Sequence, residues 1–315
     1  MLRFLAKRLL VLLGTLLVSS FVIFSALFIA PGNPIATLSG GRALPHASIV
    51  VLERRYHLNE PFLQRYWDWL TGVLHGDLGV SITLHVNVAT LIRLRIGTTF
   101  ELVAYASVLI VLFGIGAGLL GALKPGLIDG GVIIGTTISA ALPSFVAAVV
   151  LITVFAVNLG WFPAQYNGTG GLNQVWHLTL PAISLAIGSL ALVARVTRAA
   201  VREEAGKEHV QTAVSRGIPG RLIVRRHVLR NAAIPITTIA GITIASLIAV
   251  DAVVETAFTL NGLGSYLVSS AQNKDFAVVQ GICLVLVATF VVINTIVDIL
   301  YALLDPRVKL GTRAG

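Results

Sequence analysis

Long apolar runs without a single charged residue limit this chain more than any other feature. The first is Leu9 to Ala30, and five more follow: Leu102–Leu123, Val132–Asn158, Leu178–Ala194 with a few residues beyond, Asn231–Val250 with a few beyond, and Phe276–Val297. A helix that crosses the hydrocarbon core needs about 20 mostly apolar residues, and a charge at its centre costs roughly 2.5–3.5 kcal/mol. The runs therefore predict an all-α integral membrane protein with six transmembrane helices. The composition points the same way. Only 12% of the residues are charged, against about a quarter in soluble domains, and mean hydropathy is +0.88. Arg3, Lys7 and Arg8 before the first run imitate a signal peptide. The run is too long for a signal h-region of about 7–15 residues, so it reads as an uncleaved span.

Basic residues set the expected direction. With the N-terminus inside, the inner segments take Arg3, Lys7, Arg8, Lys124, the basic residues from Arg195 to Arg230, and Arg307, Lys309 and Arg313. That is most of the 23 lysines and arginines. The second outer loop, Gly160–His177, has none. The remainder fall mainly in the long first loop, where the positive-inside bias is weak. Both termini are thus expected in the cytoplasm. The net charge of +9 reads as this bias together with contact to anionic headgroups, not as a nucleic-acid surface. Cys283 is the one cysteine, so there is neither an internal disulfide nor a cysteine-based metal site.

Two segments outside the runs are patterned. In the first loop, Pro31 to Thr98, the residues Tyr56, Phe62, Leu63, Tyr66, Trp67, Leu70 and Leu74 recur at helical spacing, which predicts a helix along the outer membrane surface. Between the fourth and fifth runs lies Glu208 to Pro235, too charged to cross a bilayer. Val210, Ala213 and Val214 fall on one helical face, and Gly217-Ile218-Pro219-Gly220 stops that helix. A second helical run, Arg221 to Arg230, leads into the next span. A short helix, a tight turn and a second helix are expected on one membrane face.

This stretch resembles the cytoplasmic coupling loop of ABC-importer permeases, and its spacing from Gly217 to Pro235 resembles the dipeptide/oligopeptide/nickel branch. Gln211-Thr212-Ala213, Gly217, Asn231 and Pro235 carry the signature; Gln211 replaces its acidic residue, and Glu208 supplies a carboxylate one turn earlier. Further family-like motifs follow in register along nearly the whole chain. They are Pro31-Gly32-Asn33-Pro34, Gly76-Asp77-Leu78-Gly79, Thr99-Phe100-Glu101-Leu102, Pro143-Ser144-Phe145, Trp161-Phe162-Pro163 and His177 to Pro181. Val253 to Phe258, Gly262-Leu263-Gly264, Asp275, Gln280-Gly281, Asp298 and Asp305-Pro306-Arg307 continue the series. Asp251 stands where the family commonly has Gly, and Asn261 where it has Pro.

The resemblance implies residues 1–98 as a first span with a large external loop, and 99–315 as a five-helix core with a coupling loop at 198–230. It implies that Glu208, Gln211, Thr212, Ala213, Arg216, Gly217, Asn231 and Pro235 couple the chain to an ATPase. The implied partners are a second homologous permease, two cytoplasmic ABC ATPase domains that bind ATP and Mg, and an extracytoplasmic substrate-binding protein. The implied place is a bacterial or archaeal cell membrane. The expected activity is import of dipeptides or oligopeptides by alternating access, with nickel, glutathione or another small solute as alternatives.

The residues themselves supply no motor. None of the five lysines precedes Ser or Thr, so no phosphate-cradling loop exists, and neither His-Glu-x-x-His nor Gly-x-Ser-x-Gly occurs. The chain is not expected to be an enzyme or to bind a cofactor or metal. Asp251 and Glu255, four apart on one helix face, are candidates for the translocation path; the other reading puts them in water at the outer end of the fifth span. Pro143, Pro181 and Pro235 lie in or beside spans, where proline kinks a helix. A passive channel or secondary transporter would usually need mid-span carboxylates, and the charge-free runs argue against one.

Overall fold

The structure, a computed structural model, describes residues 2–29, 60–166 and 168–304. The expected Pro31-to-Pro34 motif, Tyr56 and Asp305-Pro306-Arg307 lie outside them. Among the described residues the chain is helical: α1 (Leu2–Ile29), α2 (Phe62–Leu74), α3 (Val88–Leu123), α4 (Leu127–Ala141), α5 (Ser144–Asn158), α6 (Gly171–Ala205), α7 (Glu208–Ser215), α8 (Gly220–Ala257), α9 (Leu263–Gln272) and α10 (Phe276–Leu304). Single π-helical turns interrupt α3 at Ile110–Gly114 and α8 at Val224–Val228, and another ends α5 at Ile152–Asn158.

Among the described residues five helices are long and apolar enough to span a membrane, within α1, α3, α6, α8 and α10, and the number is six if the bent α4–α5 pair counts as one span. That pair departs from the continuous third span expected over Val132–Asn158, because it bends by 100° between Ala141 and Ser144. The cause is local. Pro143 clashes with an α-helical residue before it, so Leu142 is extended at φ −89°, ψ 112°, and Pro143 follows at φ −60°, ψ 144°. Two successive extended residues redirect the helix. The other prolines do not break theirs: α6 runs through Pro181 and α8 through Pro235. At 35 residues α6 far exceeds its apolar run, and its length of about 52 Å carries Arg195, Arg198 and Arg202 past a hydrocarbon core of about 30 Å.

The chain forms two compact units. Among the described residues the first comprises 98–166, 168–261 and 292–304. Here α6 is central and touches α3, α4, α5 and α8. Its approach to α3 requires Gly118, where a Cβ would sit 2.5 Å from the Ala194 carbonyl oxygen and 2.6 Å from Thr197 Cβ. Small residues are the usual device for bringing membrane helices together, since lipid is as apolar as leucine and close packing must supply the attraction. The π turn of α3 and the bent α4–α5 pair both pack against that helix.

Among the described residues the second unit comprises 2–29, 60–97 and 262–291. In it Phe21 and Phe24 of α1 pack against Phe62, Tyr66 and Trp69 of α2, and the Tyr66 hydroxyl lies 2.9 Å from Ser20 Oγ. The helix expected in the first loop thus exists, held on α1. Tyr66 is buried on it while Leu63, Trp67 and Leu74 are exposed. The loop after α2 is tied down by the buried Asp275 carboxylate, which accepts from Ser81 Oγ at 2.5 Å and from the Ile82 and Thr83 amides at 3.2 Å. Val88, Leu91, Ile92, Leu263, Val278 and Ile282 form the core beneath it.

Candidate functional site

The expected short helix, tight turn and second helix are α7, residues 216–219 and the start of α8. Helix α7 is amphipathic, and its apolar side is committed to the chain's own core. Val210 and Ala213 are buried with Ala200 and Val201 of α6 and Ile223, Val228, Ala232 and Ile236 of α8. Two spans therefore share a single hydrophobic cluster with α7. The opposite side, with Glu208, Gln211, Thr212, Val214 and Ser215, is exposed. Val214, expected on the same face as Val210 and Ala213, is instead 61% exposed, because the cluster with α6 and α8 admits only Val210 and Ala213 and leaves it a large apolar side chain among polar neighbours.

Both ends of α7 are fixed. Glu208 lies in its first turn, where a carboxylate meets the positive end of the helix dipole. Val210 and Gln211 amides donate to the Lys207 carbonyl, and Gln211 Nε2 donates to the Gly206 carbonyl at 3.2 Å. Lys207 pairs with Glu204 and, at 3.6 Å, with Glu203. The hydrogen bond to Glu204 holds the Lys207 ammonium above the ordinary lysine range. At the other end Gly217 adopts φ +72°. Its amide donates to the Val214 carbonyl at 2.9 Å and that of Ile218 to the Ala213 carbonyl at 3.2 Å. This is the Schellman pattern, which satisfies the last carbonyls of a helix and favours glycine at its left-handed position. Ile218 packs back on the same cluster.

The structure brings most of the expected coupling residues together in different roles. Gln211, Thr212 and Arg216 are exposed, Ala213 faces inward, and Gly217 ends the helix. Asn231 reaches α7 from α8, with Nδ2 3.4 Å from His209 Nε2. Pro235 is exposed on α8, and its neighbour Ile236 makes the contact with the cluster. His209 had no evident role in the sequence; it sits 3.9 Å from Glu204 and faces His227 with ring centroids 6.4 Å apart.

The water-exposed reading of Asp251 and Glu255 is corrected. Asp251 is 1% and Glu255 0% exposed. Thr99 of α3 donates to Glu255 Oε1, whereas neither Asp251 oxygen has a hydrogen-bond partner among the described residues. A further ion cluster was not singled out from sequence: Asp129 of α4 accepts from Arg198 Nε and Nη2 and from Arg202 Nη2, the last two at 2.8 and 2.7 Å. Its signal was present in the spacing of Arg195, Arg198 and Arg202, which places them on one face of α6, opposite a lone acid before an apolar run. No group of three or more His, Cys, Asp or Glu that could hold a metal occurs among the described residues.

Comparison with known proteins adds a family to this geometry. Residues 110–310 match the family described as binding-protein-dependent transport system inner membrane component, and residues 1–103 match its N-terminal companion. The chain is 36% identical to the oligopeptide transport system permease protein AppB of Bacillus subtilis, covering 95% of each chain. It is 34% identical to the glutathione transport system permease protein GsiC of Pectobacterium atrosepticum, covering 98% of this chain and 99% of that one. Among solved structures it is similar in fold to an inward-facing MetNI methionine ABC transporter chain, with a TM-score of 0.56 at 20% identity, over 68% of this chain and 96% of that one.

Proposed function

The chain belongs to the family of inner-membrane components of binding-protein-dependent transport systems, and from that premise we propose that it is a permease subunit through which an ATP-driven importer moves dipeptides or oligopeptides into the cytoplasm. The peptide reading is supported by the similarity to a relative named for oligopeptide transport. A relative named for glutathione transport, at 34% identity, makes that tripeptide-sized solute the second reading. The motor is a pair of cytoplasmic ABC ATPase domains that bind ATP and Mg; a second homologous permease and an external substrate-binding protein complete the assembly. Both termini and α7 lie in the cytoplasm, in keeping with the basic residues from Arg195 to Arg230.

One observation carries the mechanism: α7 shares a buried cluster with α6 and α8 while its other side is free. A force applied to the exposed residues Gln211, Thr212, Val214 and Ser215 is passed through Val210 and Ala213 into two spans. Closure of the ATPases on ATP would then displace α7 and rock α6 and α8, opening the path outward. ATP can shift that balance only by the difference in its affinity for the two states of the assembly. Coupling therefore requires α7 to move with the spans, and the shared cluster supplies that rigidity.

Site-directed crosslinking tests this. Val214→Cys, in a chain whose Cys283 is replaced by Ser, should crosslink to a cysteine in the membrane-facing groove of the co-expressed ATPase and so block ATP-dependent uptake. A cysteine at 214 that never crosslinks, with uptake indifferent to the ATPase, would overturn the assignment.

A further inference from the structure

Arg198 and Arg202 share the Asp129 carboxylate, but Arg195, one turn earlier on α6, has no acidic partner among the described residues. Its Nη2 donates to Thr137 Oγ1 at 3.0 Å and its Nε lies 3.5 Å from Thr136 Oγ1. Both threonines spend their own hydroxyl protons on the Ile133 carbonyl, at 3.1 and 2.8 Å, so toward Arg195 they act as acceptors that orient the guanidinium. A guanidinium has five N–H donors, and most of those on Arg195 remain uncommitted. Beside it lies a cleft of about 260 Å³ lined by Val132, Ile133, Thr136, Thr137, Arg195 and Arg198.

The level of this cleft is fixed twice. Arg195 is the first charged residue after the apolar run of α6, and Asp129 the last before that of α4. The cleft therefore sits at the edge of the hydrocarbon, on the membrane face that carries α7. On its hydrocarbon side the surface is apolar: Ile134 is 63%, Ile138 58% and Leu192 47% exposed. We infer that this cleft holds the phosphate of an anionic phospholipid headgroup on Arg195, with the acyl chains lying along Ile134, Ile138 and Leu192.

Three observations converge on that occupant. The free donors of Arg195 match phosphate oxygens, the guanidinium being well suited to them geometrically. Two arginines on one carboxylate leave the Asp129 cluster with an excess of positive charge, and Arg195 beside it adds to that excess. The adjoining apolar strip suits a chain of methylenes, which a free anion lacks. Basic pockets between spans are a known form of headgroup recognition.

The test counts lipids retained by the purified full-length chain in detergent, by native mass spectrometry, after titration with phosphatidylglycerol or zwitterionic phosphatidylcholine. Phosphatidylglycerol should be retained preferentially, and millimolar inorganic phosphate should not displace it. Arg195→Gln should weaken its binding about five-fold, as expected for one basic residue at a membrane surface, whereas Arg195→Lys should keep most of it and Arg225→Gln should change nothing. Equal retention of the two lipids by the wild type overturns the inference without recourse to any variant. So does unchanged retention in Arg195→Gln. Displacement by inorganic phosphate identifies a soluble-anion site instead. If adding a second permease subunit empties the wild-type site of lipid, the cleft is a subunit contact and the inference fails.

Discussion

Asp251 is the residue whose surroundings least suit its chemistry. Its carboxylate is 1% exposed and has no hydrogen-bond partner among the described residues, and Glu255 lies four residues on along the same helix face. Were both ionised, two carboxylates at that spacing would oppose each other, and a buried polar group without a partner forfeits its hydration. Replacing it with a small apolar side chain removes the cost without opening a large cavity. Asp251→Ala is therefore expected to stabilise the chain by roughly 1–2 kcal/mol, read as a higher melting temperature in detergent. A lower one would mean that Asp251 has a favourable partner the account does not contain. Glu255 differs, because Thr99 donates to it. The sequence showed the pair and its spacing; it could not show burial, because a helix end near a membrane surface reads alike whether it faces water or neighbouring helices.

At the scale of the element, α7 has two sides with different duties, and substitutions can separate them. Val210→Asp places a charge in the cluster formed with α6 and α8, where no partner awaits it. Helix α7 should come away while the chain still inserts, seen as faster tryptic cleavage at Lys207 and Arg216 and as loss of ATP-coupled uptake. Thr212→Arg changes the exposed side, where substitutions usually shift stability by less than about 0.5 kcal/mol. It should leave cleavage at Lys207 and Arg216 at the wild-type rate, apart from the new site that the arginine itself adds, yet also abolish coupled uptake. If Thr212→Arg transports normally, the exposed side is not the docking surface. The helix and its stop at Gly217 were legible because the apolar spacing and Gly-x-Pro-Gly act locally. The outward direction of Val214 was not, since it depends on which side of α7 meets Val201 of α6 and Ile236 of α8. The bend between α4 and α5 was half legible: Leu142-Pro143 announces a break, but hydropathy alone joins the two sides into one run.

For the whole molecule, the apolar runs were enough to place five of the expected spans, the third being bent into α4 and α5, because a membrane leaves so few ways to satisfy the backbone. Their ends were less well marked. Helix α6 extends well beyond its run because Arg195, Arg198 and Arg202 stay helical while pairing with Asp129 or lining the edge of the hydrocarbon. The two compact units could not be read from sequence order, since residues 262–291 join the N-terminal part of the chain. The Asp275 carboxylate makes this connection within the second unit through Ser81, Ile82 and Thr83, nearly two hundred residues away in sequence.

If the chain is a passage whose motor lies in other subunits and acts through α7, uptake must depend on those subunits. The most direct measurement is uptake of labelled dipeptide, and separately of labelled glutathione, into proteoliposomes holding the chain with the second permease, the ATPases and the binding protein. Dipeptide uptake should require ATP and the binding protein and should be lost in Val210→Asp. Uptake of glutathione alone would keep the mechanism and change the substrate. Uptake that continues without ATP or the ATPases would contradict the account and make the chain a carrier or channel in its own right.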